Sequence, residues 1–199
     1  MERIVLHIDV NSAFLSWSAV KLLEEGYKKD IRNEVAVVAG DPKKRHGIIV
    51  AASIPAKKLG IKAPINLYEA RRKYKDLIVV KPDYNYYYQK SKAMMDFLKK
   101  LFPEFQQYSI DECFIEYTSM KRIYGIYKRF GFTVNVGIGN NKLCAKMASD
   151  FEKPNKVHTL YEYEFKDKVW NLDISELFMA GKSSCKKLRE LNINTIKDL

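Results

Sequence analysis

The sequence predicts a mixed fold of the α+β or α/β class. Short apolar runs, such as IVLHIDV at residues 4–10 and FTVNVG at residues 132–137, are typical of strands. Segments with apolar residues every three or four positions, such as residues 84–101, are typical of amphipathic helices. Because both kinds of segment alternate along the 199 residues, neither an all-α nor an all-β fold is expected.

The predicted elements are bounded by the residues that begin or end them. Ser12 is predicted to cap the first helix, Gly60 to close a short helix, and Pro103 to end the long one. The predicted strands are residues 4–10, 34–39, 47–52, 77–80, 107–118 and 132–137. The predicted helices are residues 12–25, 55–59, 67–73, 84–101, 123–130 and 141–150, with a turn at 40–47 and a helix–turn–helix pattern over 174–199.

The charge of the chain favours a polyanionic partner. Its 35 basic and 24 acidic residues give a formal net charge of +11. An excess of this size favours nucleic acid first and an anionic membrane surface second, while a merely soluble basic surface is the alternative. A hydrophobic fraction of 47% and a charged fraction of 30% are typical of a globular chain and not of a disordered one.

The cysteines and the N-terminus indicate the compartment. Cys113, Cys144 and Cys185 are far apart and form no CxxC motif, which argues against a disulfide framework or a zinc site. The first residues lack the architecture of a signal peptide, and no apolar run reaches the ~20 residues needed to span a bilayer. We therefore expect a cytoplasmic protein with no membrane partner.

Two adjacent acids lie in the strand-like run YSIDECFIEY at residues 108–117. Asp111 and Glu112 would point to opposite faces of a strand unless a hairpin turn or bulge lies there. A third acid, Asp9, ends the first predicted strand, and adjacent antiparallel strands would bring it beside Asp111. Three converging carboxylates favour Mg²⁺, and two such ions about 4 Å apart would clamp both oxygens of a phosphoryl transfer. The alternative is an exposed Asp–Glu turn, with Asp9 capping a helix.

Five consecutive blocks of the chain resemble the Y-family, or translesion, DNA polymerases. In chain order they are LHIDVNSAF, VAVVAGDPKKRHGIIVAASIPAKKLGIKAPI, KPDYNYYYQKSKAMMDFLKKLFPEFQQYSIDE, YSIDECFIEYT and VNVGIGNNKLCAKMASDFEKPNK. Within that family the chain resembles the bacterial DinB and ImpB/MucB/SamB (UmuC-like) group. The resemblance implies an α+β fold: a palm with a ferredoxin-like sheet and helices on one face, a small α/β fingers domain, and a helical thumb with a helix-hairpin-helix.

The resemblance also implies roles for individual residues. Asp9, Asp111 and Glu112 match the catalytic metal-binding acids, with the Val10 backbone carbonyl as a further ligand to two Mg²⁺ ions that Mn²⁺ would replace. Phe14 matches the steric gate, which collides with a ribose 2′-OH and so selects deoxynucleotides. The implied nucleotide-binding positions are Ser12, Ala13, Phe14, Ala51, Ile54, Lys57 and Lys153, and the implied DNA contacts in the thumb are Gly181 and Lys182.

Several nucleotide-binding positions depart from the family pattern. Ile54 stands where the family usually has a tyrosine, and it offers no hydroxyl to the triphosphate. Lys57 stands where an arginine is usual, so the charge is kept but the bidentate fork is lost. Ala51 replaces a frequent hydroxyl side chain, and Ala13 replaces a common aromatic one. These departures weaken the expected contacts to the triphosphate and leave the metal-binding acids unchanged.

The resemblance implies a domain order and a function. Residues 1–15 are expected to begin the palm, 16–81 to form the fingers, 82–171 to complete the catalytic palm and 172–199 to begin a thumb, with the little finger absent. The implied function is a template-directed DNA polymerase core that transfers nucleotides from dNTP to a primer 3′-OH in error-prone lesion bypass. Its partners would be primer–template DNA and, through a missing C-terminal region, a sliding clamp. The alternatives are a non-catalytic DNA-binding or regulatory fragment and another two-metal enzyme, such as a nucleotidyl cyclase.

Overall fold

The structure, a computed structural model, describes residues 3–40, 47–117 and 130–199. The chain divides into two compact units. The first unit consists of residues 1–9, 98–124 and 134–199, and the second of residues 10–97 and 125–133. The predicted turn at 40–47 and the predicted helix at 123–130 lie almost entirely outside the described residues.

Strands and helices alternate along the described chain, as expected for the α+β class, which is confirmed. The strands are β1 (Val5–Val10), β2 (Ala36–Ala39), β3 (Ile49–Ala52), β4 (Ile78–Val80), β5 (Phe105–Gln107), β6 (Glu112–Glu116), β7 (Val134–Gly139) and β8 (Val157–Leu160). The helices are α1 (Ala13–Glu24), α2 (Ile54–Lys58), α3 (Leu67–Lys73), α4 (Tyr84–Leu101), α5 (Lys142–Asp150), α6 (Phe165–Lys168) and α7 (Lys182–Glu190). Short 3₁₀ helices lie at Ile31–Asn33, Glu162–Glu164, Ile174–Glu176 and Ile196–Asp198.

A five-stranded sheet with the order β5-β6-β1-β7-β8 organises the first unit. β1 pairs antiparallel with β6, in a register that places Asp9 opposite Glu112. β5 is antiparallel to β6, whereas β7 and β8 are parallel and are joined through α5. The apolar strands β1 and β6 therefore lie inside the sheet, each with a neighbouring strand on both sides.

The strand predicted over residues 107–118 is a hairpin in the structure. The amides of Tyr108 and Ser109 both donate to the carbonyl of Glu112, at 3.0 and 3.2 Å, and this reverses the chain between β5 and β6. Asp111 therefore lies in the turn and Glu112 begins β6. The hairpin removes the need for two adjacent carboxylates to occupy opposite faces of one strand.

Helix α5 lies directly against β7 because two glycines of the strand have no side chain. A Cβ atom at Gly137 would lie 1.9 Å from the carbonyl oxygen of Ala145, and one at Gly139 would lie 2.6 Å from the Cβ atom of Cys144. The helix begins at the side chain of Asn141, which accepts a hydrogen bond of 2.8 Å from the Cys144 amide. This close approach brings the polar residues of α5 to the sheet.

The second unit contains a three-stranded sheet with the order β3-β2-β4. β2 is antiparallel to β3 and parallel to β4. Its four residues alternate between two apolar clusters: Ala36 and Val38 pack with α1, and Val37 and Ala39 pack with residues of α2 and α3. β2 is thus covered on both sides, which explains its uninterrupted apolar sequence.

Most predicted boundaries agree with the structure to within two residues, and Ser12 is the N-cap residue of α1 as predicted, but its side chain does not cap the helix. Ser12 has a left-handed backbone (φ 46°), and its side chain makes no capping hydrogen bond. Its hydroxyl instead accepts a hydrogen bond of 2.9 Å from the Lys57 ammonium. The C-terminal pattern contains one α-helix, α7, between two 3₁₀ turns. Within the described ranges, no helix has the length and hydropathy needed to cross a membrane.

Candidate functional site

Two of the three predicted acids face each other across the central strands of the first unit. Asp9 and Glu112 are directly opposite in the β1–β6 ladder. Directly opposed side chains of an antiparallel pair lie on the same face of the sheet, and like charges in such a pair repel. Asp9 is 5% exposed. Two largely shielded carboxylates at this point therefore require positive charge beside them.

Glu112 obtains a hydrogen bond from His7 and positive charge from Lys146. Its Oε2 atom lies 3.0 Å from His7 Nε2 and 3.3 Å from the Lys146 ammonium. Burial alone would raise the pKa of Glu112, but the His7 hydrogen bond and the Lys146 charge outweigh burial and hold that pKa below its ordinary value. The carboxylate is thus kept ionised in a partly buried position.

Asp9 obtains its counter-charge from Lys153. The Lys153 ammonium donates to Asp9 Oδ2 and also pairs with Asp150 at 3.1 Å. Asp150 in turn pairs with Lys146 at 3.2 Å, so acids and lysines alternate from Asp9 to Glu112. Burial lowers the pKa of Lys153. The first unit therefore contains a connected network of ion pairs beside the β1–β6 pair.

Asp111 is held by its own turn. Its Oδ1 atom accepts a hydrogen bond of 2.6 Å from the Ser109 hydroxyl, and its amide donates back to that hydroxyl at 3.2 Å. The hydrogen bonds fix the carboxylate next to the start of β6. Chain geometry thus brings the two predicted adjacent acids and Asp9 to one end of the β1–β6 pair, each in a different element.

The acids suit a hard divalent cation by their chemistry. Carboxylate oxygens are the ligands that Mg²⁺ prefers, and Asp9, Asp111 and Glu112 would supply them from two strands and a turn. In the part of the chain that the structure describes, no three His, Cys, Asp or Glu side chains are grouped closely enough to hold a metal ion. The lysine contacts to Asp9 and Glu112 carry the positive charge that such an ion would otherwise supply.

The predicted nucleotide-binding residues, apart from Lys153, belong to the second unit. Ser12 and Lys57 are joined by a hydrogen bond between their side chains, and burial lowers the pKa of Lys57, with the charge of Lys62 acting in the same direction. Ala51 is buried in β3, and Ile54 begins α2 with an exposed side chain. Ala13 begins α1 and is buried, and Val10 ends β1. The structure thus joins Ser12 to Lys57 and gives no such contact for the two alanines.

Phe14 lies in an aromatic cluster of the second unit. Its ring stacks on Tyr87 at a centroid distance of 5.2 Å and meets the edge of Tyr84 at 6.1 Å. Trp17 contacts both Phe14 and Tyr87, and Tyr87 is fixed by a hydrogen bond of 2.5 Å to Ser18. The ring of Phe14 is half-buried and held on several sides, so its position is well defined.

The predicted DNA contacts lie at the start of α7. Gly181 precedes the helix and Lys182 begins it, and both are exposed. The preceding Met179 has a left-handed backbone (φ 71°) and a side chain that is 81% exposed. Arg189, near the end of α7, pairs with Asp173 at 2.8 Å and fixes the helix to the preceding turn. The segment presents basic side chains on an ordered helix.

The site contains residues that the sequence patterns did not predict. His7, Lys146 and Ser149 are all buried and all take part in the hydrogen bonds around Glu112. A signal for His7 existed, because it lies two residues before Asp9 and thus on the same face of β1. Lys146 carried the weaker signal of a lysine at a buried position of an amphipathic helix.

Comparisons with known proteins identify the family of the chain. The family model described as the impB/mucB/samB family matches residues 8–150, which is most of the chain. The chain belongs to this family. Among curated relatives, DNA polymerase IV of Clostridium acetobutylicum is 48% identical over 210 aligned residues, covering 100% of this chain and 53% of that protein. DNA polymerase IV of Clostridium kluyveri is 34% identical, covering 100% of this chain and 51% of that protein.

Solved structures of the same group share the fold. A Y-family DNA polymerase chimera superposes with a TM-score of 0.84 at 25% sequence identity, covering 98% of this chain and 59% of that chain. DinB from Sulfolobus solfataricus superposes with a TM-score of 0.79 at 25% identity, with the same coverage. The chain therefore spans about half the length of the curated family members it matches.

Proposed function

We propose that this chain is the palm and fingers part of a template-directed DNA polymerase that extends a primer and bypasses lesions. The observation that carries the proposal is the pairing of Asp9 opposite Glu112, with Asp111 in the turn immediately before. Membership of the impB/mucB/samB family and likeness to DNA polymerase IV support it. The formal charge of +11 suits a surface that contacts phosphates.

The three acids would bind the divalent cations of the reaction. Asp9, Asp111, Glu112 and the Val10 carbonyl would hold two Mg²⁺ ions, which Mn²⁺ would replace. When bound, such ions neutralise the oxygens of a transferring phosphoryl group. The lysines that now pair with the acids would turn to the phosphates, and Lys153 would contact the triphosphate of the incoming dNTP. The existing charge network thus places the carboxylates and the lysine ammonium groups close together.

The second unit would hold the nucleotide. Phe14 would exclude a ribose 2′-OH by collision, and its stacking on Tyr87 would keep the ring from moving aside. Lys57 would contribute charge to the triphosphate, with Ser12, Ala13, Ala51 and Ile54 around it. In this proposal residues 1–15 and 82–171 form the palm, 16–81 the fingers and 172–199 the start of a thumb, where Gly181 and Lys182 contact primer phosphates.

Single-nucleotide primer extension with Mg²⁺ tests the proposal. The 199-residue chain is assayed beside Asp111→Ala, with replacement of the exposed Asp76 by alanine as the matched control. We expect extension by the chain and by the control, and its loss in Asp111→Ala. Template-dependent choice of dNTP would separate a polymerase from a nucleotidyl cyclase, which needs no primer. Binding of primer–template DNA without any extension at high enzyme concentration would overturn catalysis by this chain and favour a DNA-binding fragment.

A further inference from the structure

His7 is a fully buried polar side chain in the middle of the candidate site. It is 0% exposed, lies on β1 two residues before Asp9, and contacts the ring of Phe114 at a centroid distance of 4.7 Å. Its Nε2 atom lies 3.0 Å from Glu112 Oε2, and its Nδ1 atom lies 2.8 Å from Ser149 Oγ. Both ring nitrogens are therefore engaged, one toward a predicted metal ligand and one toward α5.

The protons that each group carries fix the direction of the hydrogen bond between His7 and Glu112. An ionised carboxylate only accepts hydrogen bonds, so the contact is favourable only when His7 Nε2 carries a proton. On the other side of the ring, the Ser149 hydroxyl both donates and accepts, and it lies 2.7 Å from the Lys146 carbonyl as an alternative acceptor. Ser149 therefore adapts to either form of Nδ1, whereas Glu112 requires a donor at Nε2.

The two contacts of the Glu112 carboxylate fall on the same oxygen. His7 Nε2 and the Lys146 ammonium both approach Oε2, and among the described residues Oε1 accepts no hydrogen bond. The Lys146 contact is longer, at 3.3 Å, and Lys146 is shared with Asp150. The His7 side chain is shorter than that of Lys146, packs against Phe114, and is linked to α5 by the hydrogen bond with Ser149. His7 is thus the rigid one of the two groups that orient Glu112.

We propose that His7 is a positioning residue, which donates its Nε2 proton to Glu112 Oε2 and so presents Oε1 to a divalent cation. This inference rests on the proposed function, since that function assigns Glu112 to cation binding. Groups that orient a metal ligand typically change metal affinity by about 10- to 100-fold when they are removed. Loss of the His7 bond would leave Glu112 with Lys146 alone and free to rotate with that flexible side chain.

The test distinguishes the contact of His7 Nε2 to Glu112 from the contact of His7 Nδ1 to Ser149. In His7→Gln the side-chain amide reaches about as far as Nε2, so it keeps a donor for Glu112. In His7→Asn the shorter amide reaches only the place of Nδ1, so it keeps the contact to Ser149 alone. His7→Leu keeps neither. Binding of Mn²⁺ to the whole chain is measured by the loss of the free-ion electron paramagnetic resonance signal, with circular dichroism to check that each variant is folded.

We expect His7→Asn and His7→Leu to bind Mn²⁺ about 10- to 100-fold more weakly than the wild type, and His7→Gln to bind it within a few fold. Equal weakening in the Gln and Asn variants would overturn the inference, because the role of His7 would then be structural. Nitrogen-15 NMR of the wild-type ring gives an independent readout. Protonated Nε2 is expected, and a ring that carries its proton on Nδ1 alone would also overturn the inference.

Two further variants distinguish this inference from the proposed function. If Asp9→Asn and Glu112→Gln bind Mn²⁺ as the wild type does, the assignment of the acids to the metal site fails, and the role of His7 fails with it. If those variants lose Mn²⁺ while all three His7 variants retain it, the metal site stands and only the positioning role of His7 is overturned.

Discussion

Replacing Gly137 by alanine would add a methyl group where α5 lies against β7. The new Cβ atom would lie 1.9 Å from the carbonyl oxygen of Ala145 and 2.5 Å from the amide nitrogen of Ser149. Both of these are backbone atoms of α5, so no change of rotamer relieves the collision. The helix itself would have to move away from the sheet.

The size of that movement sets the expected cost. An ordinary contact begins near 3.4 Å, so the helix must shift by about 1.5 Å from the present 1.9 Å. Overpacking of a core typically costs about 1–3 kcal/mol. Since the shift would also stretch the bond between Ser149 and His7, we expect a loss near the upper end, about 3 kcal/mol.

Urea unfolding followed by circular dichroism measures this loss. With a slope of about 2 kcal/mol per molar urea, a loss of about 3 kcal/mol lowers the midpoint by about 1.5 M. The matched control is Gly40→Ala, since a Cβ atom there meets only the Cα atom of Gly47, at an ordinary contact distance of 3.8 Å. The control is expected to change the midpoint little. A Gly137→Ala variant that unfolds at the midpoint of the control would refute the close approach of α5 to β7.

Three other predictions concern separate parts of the chain. Asn135→Ala should lower the free energy of unfolding by about 3 kcal/mol in a urea titration, because Asn135 is buried and bonds the carbonyls of Ser149 and Glu152; an unchanged midpoint would contradict this. The pKa of Asp173 is lowered to about 2 from the ordinary 3.8, first by the Ser175 hydrogen bonds and then by Arg189. Because the folded pKa is the lower one, the stabilisation is present above about pH 4 and is lost as the pH falls toward 2. Carbon-13 NMR should show this titration, and a midpoint near 3.8 would exclude the contacts. If the proposed function holds, Phe14→Ala should raise ribonucleotide insertion by at least about tenfold in primer extension. Unchanged selectivity between deoxyribonucleotides and ribonucleotides would show that Phe14 is not a steric gate.

The elements that sequence predicted well are those with a strong local pattern. Residues 67–73 and 84–101 were predicted as helices with the bounds that the structure gives to α3 and α4. The spacing of their apolar residues and the polar residues at their ends specify a helix without contacts to distant parts of the chain. The same kind of local rule placed Ser12 correctly before α1, but its hydroxyl accepts a hydrogen bond from Lys57, 45 residues away, and makes no capping hydrogen bond.

The candidate site was only partly predictable. The acids stood out because charges interrupt apolar strands, but their register is a property of the paired strands and not of either sequence. The buried positions of His7 and Ser149 were not predicted, because a single polar residue in an apolar run gives no sign of its partner. Those two residues are separated by 142 positions, so only the folded chain shows that they meet.

The interleaving of the two units along the chain has a consequence for synthesis. β1 leaves the ribosome before the other described strands, and its neighbours β6 and β7 follow only after about 100 further residues. The second unit, by contrast, is nearly complete once residue 97 has emerged. We therefore expect the second unit to fold early on a nascent chain while β1 still waits unpaired. A ribosome stalled before β6 would display a strand whose buried histidine and aspartate lack their partners, and we expect chaperones to bind such a strand.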